Sequence, residues 1–210
     1  MNFDPVARWY RWLEGLAFGD ALQRCRVALI EHTRNAANVL ILGEGDGRFL
    51  EAFLRSNPTA DVTVVDSSRE MVRLAKARIG RSDRVTFLCG DVRHIDLGEQ
   101  EFDLIVTHFF LDCFDEENVR RVVGDLRQRL SDAGRWLWSD FAIPAGGWVA
   151  MLAKGVVWGL YRFFRLTTRI EATRLVNVEM IFNESGMEMR SERSFINGLI
   201  HSELWEAQSR

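Results

Sequence analysis

Three glycines alternate with two acids in Gly43-Glu44-Gly45-Asp46-Gly47, and Asp66 follows 19 residues after the last of them. Glycine reaches positive φ without steric cost, so such a run lets the chain double back and lets a ligand lie against bare backbone. Where a helix begins after the run, its unpaired N–H groups favour a negatively charged group. A carboxylate such as Asp66 can accept hydrogen bonds from both hydroxyls of a ribose. Each feature also has a plainer use. The glycines suit a tight β–α turn that binds nothing, and the aspartate suits a helix cap. Together, at this spacing, they point to an adenosine-containing cofactor. Gly90-Asp91-Val92 places another carboxylate where an adenine amino group could be met. His108 belongs to a residue type with a pKa near neutrality and is a candidate general base, or a polar residue that only lines a pocket without proton transfer. Asp112 is a second candidate base, or a cap for the helix that follows.

The elements that must position these residues alternate regularly. Val39 to Leu42 and Val62 to Val65 are short continuous apolar runs, the pattern of strands buried on both faces. Val85 to Leu88, Phe102 to Val106 and Arg135 to Ser139 supply three more strands. Helical spacing runs from Phe49 to Arg55, stopped by Asn57-Pro58, and again around Met71, Val72, Leu74 and Ala75, where Ser67 or Ser68 could cap. A charged amphipathic helix spans Asn118 to Leu130. This order predicts right-handed βαβ crossovers and a parallel sheet with helices on both faces. Ligands bind such sheets beyond the carboxyl ends of the strands, where every distinctive polar residue above falls. A dinucleotide loop would read G-x-G-x-x-G, whereas the glycines here run G-x-G-x-G with Arg48 in sixth place, which disfavours a nicotinamide oxidoreductase.

The segments VLILGEGDGRFL, VTVVDSSREMVRLA, VTFLCGDVRHIDL and FDLIVTHFFLD resemble the successive motifs of class I S-adenosylmethionine (SAM)-dependent methyltransferases. They are most similar to the small-molecule branch typified by ubiquinone/menaquinone-biosynthesis enzymes. The resemblance implies a doubly wound, Rossmann-like α/β sheet of seven strands, mostly parallel with an antiparallel edge strand. It implies that Gly43, Gly45 and Gly47 carry the methionine and ribose portion of SAM, and that Asp66 holds the ribose hydroxyls. Ser67 and Met71 would flank the adenine, Asp91 and the backbone of Val92 would recognise its edge, and Thr107 and His108 would lie near the sulfonium. Ile41 stands where the family has an acid that meets the methionine ammonium, so Glu44 or an N-terminal residue such as Tyr10 is expected to take that part. Thr107-His108-Phe109-Phe110 is not the N-P-P-Y type used on exocyclic base nitrogens.

The rest of the chain sets the context. With 210 residues there is room for one α/β domain, and a formal charge of -3 gives no overall attraction to nucleic acid. Residues 1–35 read as an N-terminal helical cap containing Trp9, Tyr10, Trp12 and Phe18, with a break near Gly19. Residues 144–175 read as a helical lid over the acceptor, apolar nearly all round between Trp148 and Phe164. No run of apolar residues there is long enough to span a membrane. Arg162, Arg165, Arg169 and Arg174 would face solvent, bind an acidic acceptor or touch an anionic membrane surface. The same apolar segments leave a homodimer open. Asn177 to Gly186 reads as a helix and Met187 to Trp205 as a hairpin around Asn197-Gly198. Cys25, Cys89 and Cys113 have no metal-ligand spacing and read as reduced, buried thiols, so no metal and a cytoplasmic setting are expected. The function expected is methyl transfer from SAM, leaving S-adenosylhomocysteine (SAH), to oxygen, carbon or nitrogen of a small apolar or aromatic acceptor. The alternative is a non-catalytic regulator or scaffold that binds SAM or SAH.

Overall fold

The computed structural model describes residues 18–143, 155 and 175–208. Seven strands form one sheet: β1 (Asn38–Leu42), β2 (Asp61–Asp66), β3 (Val85–Cys89), β4 (Phe102–His108), β5 (Leu130–Phe141), β6 (Met187–Phe195) and β7 (Ile200–Ala207). Their spatial order is β3-β2-β1-β4-β5-β7-β6. The first five run parallel. Strand β7 enters antiparallel between β5 and β6, and β6 closes that edge. The described helices are α1 (Ala21–Val27), α2 (Arg48–Ser56), α3 (Arg69–Ile79), α4 (Glu116–Gln128) and α5 (Val178–Glu184). The order reverses between β1 and β4, so a crevice opens beyond their carboxyl ends.

Alternation along each strand divides the core into two layers. Val39 and Ile41 join Phe49, Leu50 and Phe53 of α2 on one face. Leu40 and Leu42 join Val119, Val122, Val123 and Leu126 of α4 on the other. Phe182 anchors the short α5 among three indoles, with ring centroids 5.0 Å from Trp136, 5.6 Å from Trp138 and 5.2 Å from Trp205. The chain turns at Gly19, where φ is +55°, as its position before α1 predicts. Strand β5 starts earlier than its apolar run suggests. Leu130 pairs with Phe102, the register then shifts, and Arg135 pairs with Leu104. Leu130, expected to end the helix before it, instead begins the strand, and the stretch 131–134 is its irregular start, with Ala133 at φ 57°. Cys25 is buried, but Cys113 is half-buried and Cys89 exposed, so the expectation of three buried thiols is corrected. Cys89 ends strand β3, which pairs with β2 and has no strand on its outer side among the described residues. No helix among the described residues is long and apolar enough to cross a membrane. Residues 1–17 and nearly all of 144–175, with the expected lid and the first half of the expected cap, lie outside the described residues; the remainder of the cap, 18–35, holds α1 and a 3-10 turn (Ile30–Thr33).

One face of β7 carries ionisable side chains into the core. His201 is edge-on to Trp138 at 4.5 Å, and Glu203 accepts a hydrogen bond from Trp205 Nε1 at 2.7 Å. Burial pushes the Glu203 carboxyl from its ordinary 4.5 up to about 8. The folded chain therefore keeps a proton that the unfolded chain loses first. Stability from this group is complete below the ordinary value and declines as pH rises toward about 8. Glu203→Gln, which keeps an acceptor for Trp205, should raise the melting temperature at pH 8 and change it little at pH 4.5. An equal shift at both pH values in thermal unfolding would contradict this account.

Candidate active site

A cleft lies beyond the carboxyl ends of β1, β2 and β4, and its walls include Gly43, Gly45, Asp66, Ser67, Met71 and His108. The three glycines after β1 all adopt left-handed backbone, at φ 66°, 72° and 87°, for three separate reasons. At Gly43 a β-carbon would stand 2.6 Å from Phe110 Cδ2, so glycine makes room for that ring. At Gly45 a β-carbon would meet nothing within 4 Å, so its bare face is open toward the cleft. At Gly47, the residue before α2, a β-carbon would stand 2.8 Å from Ala75 Cα. Gly47 therefore lets α2 approach α3 and does not border the cleft, which corrects its expected place beside the other two.

Asp66 ties the turn in place. Its Oδ2 accepts from Gly45 N at 3.1 Å and its Oδ1 from Ser68 N at 2.8 Å. Ser68, not Ser67, caps α3 by accepting from Met71 N at 3.2 Å, which leaves Ser67 on the cleft wall. Glycine cannot cap α2 with a side chain, and Glu44 reaches forward to do so, its Oε1 accepting from Leu50 N at 2.8 Å. Burial pushes the Glu44 carboxyl up to about 8, opposed by that hydrogen bond and by Arg26. Asp46 is held from outside by Arg48 at 3.0 Å and Arg78 at 3.1 Å. Ile41 packs in the core beside Phe49 and is not among the cleft walls.

The opposite wall departs further from the expectations. Asp91 borders the cleft, but Arg93 holds it at 3.0 Å on Oδ1 and 2.5 Å on Oδ2. That guanidinium keeps the carboxyl below its usual range and also lies over the Phe114 ring at 5.2 Å. Val92 is on the wall as expected. Thr107 is not: fully buried, it accepts from Trp136 Nε1 at 2.9 Å on the face of the sheet covered by α5. His108 does face the cleft, edge-on to Phe49 at 4.5 Å, and neither ring nitrogen has a hydrogen-bond partner among the described residues. Burial, with Arg26 adding to it, holds His108 well below its ordinary pKa. It is thus a neutral imidazole with a donor and an acceptor to offer, and a weak proton acceptor.

Asp112 is set back from the cleft wall. The backbone bends sharply after β4, with Phe109 at φ 52°, and a 3-10 turn (Leu111–Cys113) brings Asp112 against Asp140 at the end of β5. Tyr10 lies outside the described residues. Sequence reasoning missed Arg26, Phe49, Phe110 and Asp140. Asp140 carried a usable signal, because it ends a parallel strand just as Asp66 does. Arg26 carried none, since only the docking of α1 brings it to the cleft.

Residues 39–134 match the family model for a methyltransferase domain. The chain is 31% identical over 103 residues to a malonyl-[acyl-carrier protein] O-methyltransferase of Priestia megaterium, covering 49% of this chain and 36% of that protein. It is 31% identical over 135 residues to a demethylmenaquinone methyltransferase of Thermotoga maritima, covering 63% and 57% respectively. The chain thus spans only about a third to a little over half of these relatives' length. Among solved structures it superposes on the N-methyltransferase NodS of Bradyrhizobium japonicum WM9 in complex with SAH. The TM-score is 0.63 at 16% identity, over 89% of this chain and 83% of that one. With the strand order already described, these likenesses show that residues 39–134 are similar to a methyltransferase domain and that the chain shares the fold of the solved methyltransferase structure.

Proposed function

We propose that this protein binds SAM in the cleft and transfers its methyl group to a small, apolar or aromatic acceptor. The observation that carries this reading is the glycine turn locked to Asp66 across the mouth of β1 and β2, with open space at Gly45. The residues fit such a ligand. Gly43 and Gly45 offer bare backbone, and the Asp66 carboxylate at the end of β2 is an acceptor placed on the cleft wall for ribose hydroxyls. Met71 and Val92 supply apolar walls for the adenine. Asp91 shares its carboxylate with Arg93, so recognition of the adenine amino group falls to an oxygen lone pair that the arginine leaves over. Bound SAM supplies an electrophilic methyl group on a cationic sulfur.

The chain's own residues must align the acceptor with that methyl and keep water out, which accounts for much of the rate in an in-line displacement. Phe109, Phe110 and Phe114 make the acceptor end of the cleft aromatic. Phe109 packs on Phe141 at 5.2 Å and Phe18 on Phe141 at 5.6 Å, which extends that surface toward the rim. The unpartnered nitrogens of His108 would orient a polar atom of the acceptor or of the methionine moiety. The proposal includes a cytoplasmic setting, peripheral membrane contact and a homodimer. The loss of the family's acid at Ile41 favours a second reading, in which SAM or SAH is bound but not turned over.

Isothermal titration with SAM, SAH and NAD should show micromolar binding of the two sulfur nucleotides only. Binding of NAD alone, or of none of the three, would overturn the cofactor assignment. If Glu44 must ionise to receive the methionine ammonium, binding below about pH 8 expels its proton. Affinity for SAH should then tighten as pH rises from 6 to 8, and Glu44→Gln should flatten that dependence.

The glycines give a second comparison. Gly45→Ala should cost about 1–2 kcal/mol of stability, from left-handed backbone alone, and lose most SAH affinity. Gly47→Ala adds the collision with Ala75 and should destabilise more, while the folded fraction still binds. Stability by denaturant and affinity by titration separate the two, and the opposite ranking would contradict the roles assigned here.

A further inference from the structure

One side chain behind the cleft wall grips another that lies on it. Asp91 borders the cleft with Gly90, Val92 and Met71, and its backbone is pinned on both sides. Gly90 N donates to Asp66 O at 3.0 Å, and Asp91 O accepts from His94 N at 2.9 Å and from Ile95 N at 3.0 Å. The first of these bonds ties the loop after β3 to the end of β2, so Asp91 keeps a set place relative to Asp66. Arg93 then fixes the carboxylate. Its backbone N and its Nε both donate to Oδ1, each at 3.0 Å. Oδ2 accepts from the same Nε at 3.2 Å and from Nη2 at 2.5 Å.

Arg93 is itself held from behind. Its guanidinium lies over the Phe114 ring at 5.2 Å, and 13% of its side chain is exposed. Phe114 is buried and follows the 3-10 turn after β4, so the arginine takes its place by packing of that turn against the loop after β3. On the far side of its loop Arg93 borders a hollow with Ile95, Leu97 and Val122, away from the cleft that Asp91 faces. A planar fork that grips both oxygens of a carboxylate sets its plane as well as its charge, which a single ammonium does not. Gripped in this way, the Asp91 carboxylate is an acceptor of one orientation and offers the cleft no donor.

We propose that Arg93 is a positioning residue for the cofactor's base, which fixes Asp91 as a pure acceptor and so makes the cleft select 6-amino over 6-oxo purine nucleosides. This rests on the SAM reading above and deepens it. Adenine carries at C6 an amino group that donates, whereas hypoxanthine carries there a carbonyl oxygen that accepts. A carboxylate of fixed plane bonds the first and repels the second. Without the fork, the carboxyl turns about its Cβ–Cγ bond, or takes a proton and donates to the carbonyl, and the distinction shrinks. Met71 and Val92 are apolar walls that suit either base, so the polar contact carries the choice.

Titration of the full chain with SAH and with S-inosylhomocysteine, its 6-oxo counterpart, tests this without an identified acceptor. Wild-type protein is expected to prefer SAH by about thirtyfold, as a charge-assisted hydrogen bond allows. In Arg93→Met, which keeps packing on Phe114, the preference should fall to about threefold, through weaker SAH binding with S-inosylhomocysteine binding unchanged. Arg93→Lys keeps the cation without the fork, should stand at about tenfold, and carries the test if Arg93→Met does not fold. Three results would overturn the positioning role: no preference in wild-type protein, a preference undiminished in a folded variant, or an equal loss of both ligands, which a merely structural role predicts. Failure of wild-type protein to bind SAH or S-inosylhomocysteine at all would instead overturn the cofactor reading itself.

Discussion

Each oxygen of the Asp66 carboxylate accepts from a different crossover loop, one from Gly45 after β1 and one from Ser68 after β2. Both bonds go to backbone, so they fix where the two chains run and not merely where side chains point. Through Gly45 the carboxylate fixes the turn that starts α2, and through Ser68 the cap that starts α3. The two helices can then pack at Gly47 and Ala75. Backbone N–H groups at a helix start must find partners somewhere. Here Ser68 satisfies one at α3 and Glu44 one at α2. The cleft is the space these commitments leave between the loops.

Ionisable groups gather at the carboxyl ends of the strands, and burial moves most of them toward their neutral forms. Glu44 and the Asp112–Asp140 pair are raised, and His108 is lowered. Asp91 moves the other way, because Arg93 lowers its carboxyl at the polar edge of the cleft. A site arranged in this way holds donors, acceptors and protons ready, while two guanidiniums, Arg93 over Phe114 and Arg26 over Phe109, place their charge against its aromatic rings. Such a pattern suits a ligand that brings its own charge, because each buried group can change its protonation state as the ligand arrives.

Strand existence was legible because continuous apolar runs on doubly covered strands leave little ambiguity when turn residues bracket them. Boundaries were less so. Residues 131–134 have turn composition yet belong to β5, because pairing of Leu130 with Phe102 extends the ladder across a bulge. Which serine caps α3 was undecided between two neighbours, and the direction of the Asp66 side chain settled it. Thr107 shows the limit of placing a site by strand ends. It precedes the cleft-facing His108 by one residue, so the pleat turns it to the opposite face, where Trp136 takes its hydroxyl.

The sequence by itself determined the α/β class, the place of the cleft at the strand ends, and Gly43, Gly45, Asp66, Ser67, Met71, Val92 and His108 as its walls. Those follow from local patterns, in which periodicity fixes the strands and chain direction fixes which end carries the loops. Tertiary structure alone decided that Gly47 serves helix packing and that Arg26 reaches the cleft. It also decided that Asp112 meets Asp140 across 28 residues of chain. Each of these depends on a close approach between segments distant in sequence. The geometry of such approaches comes from how whole layers pack, which no local spacing of residues encodes.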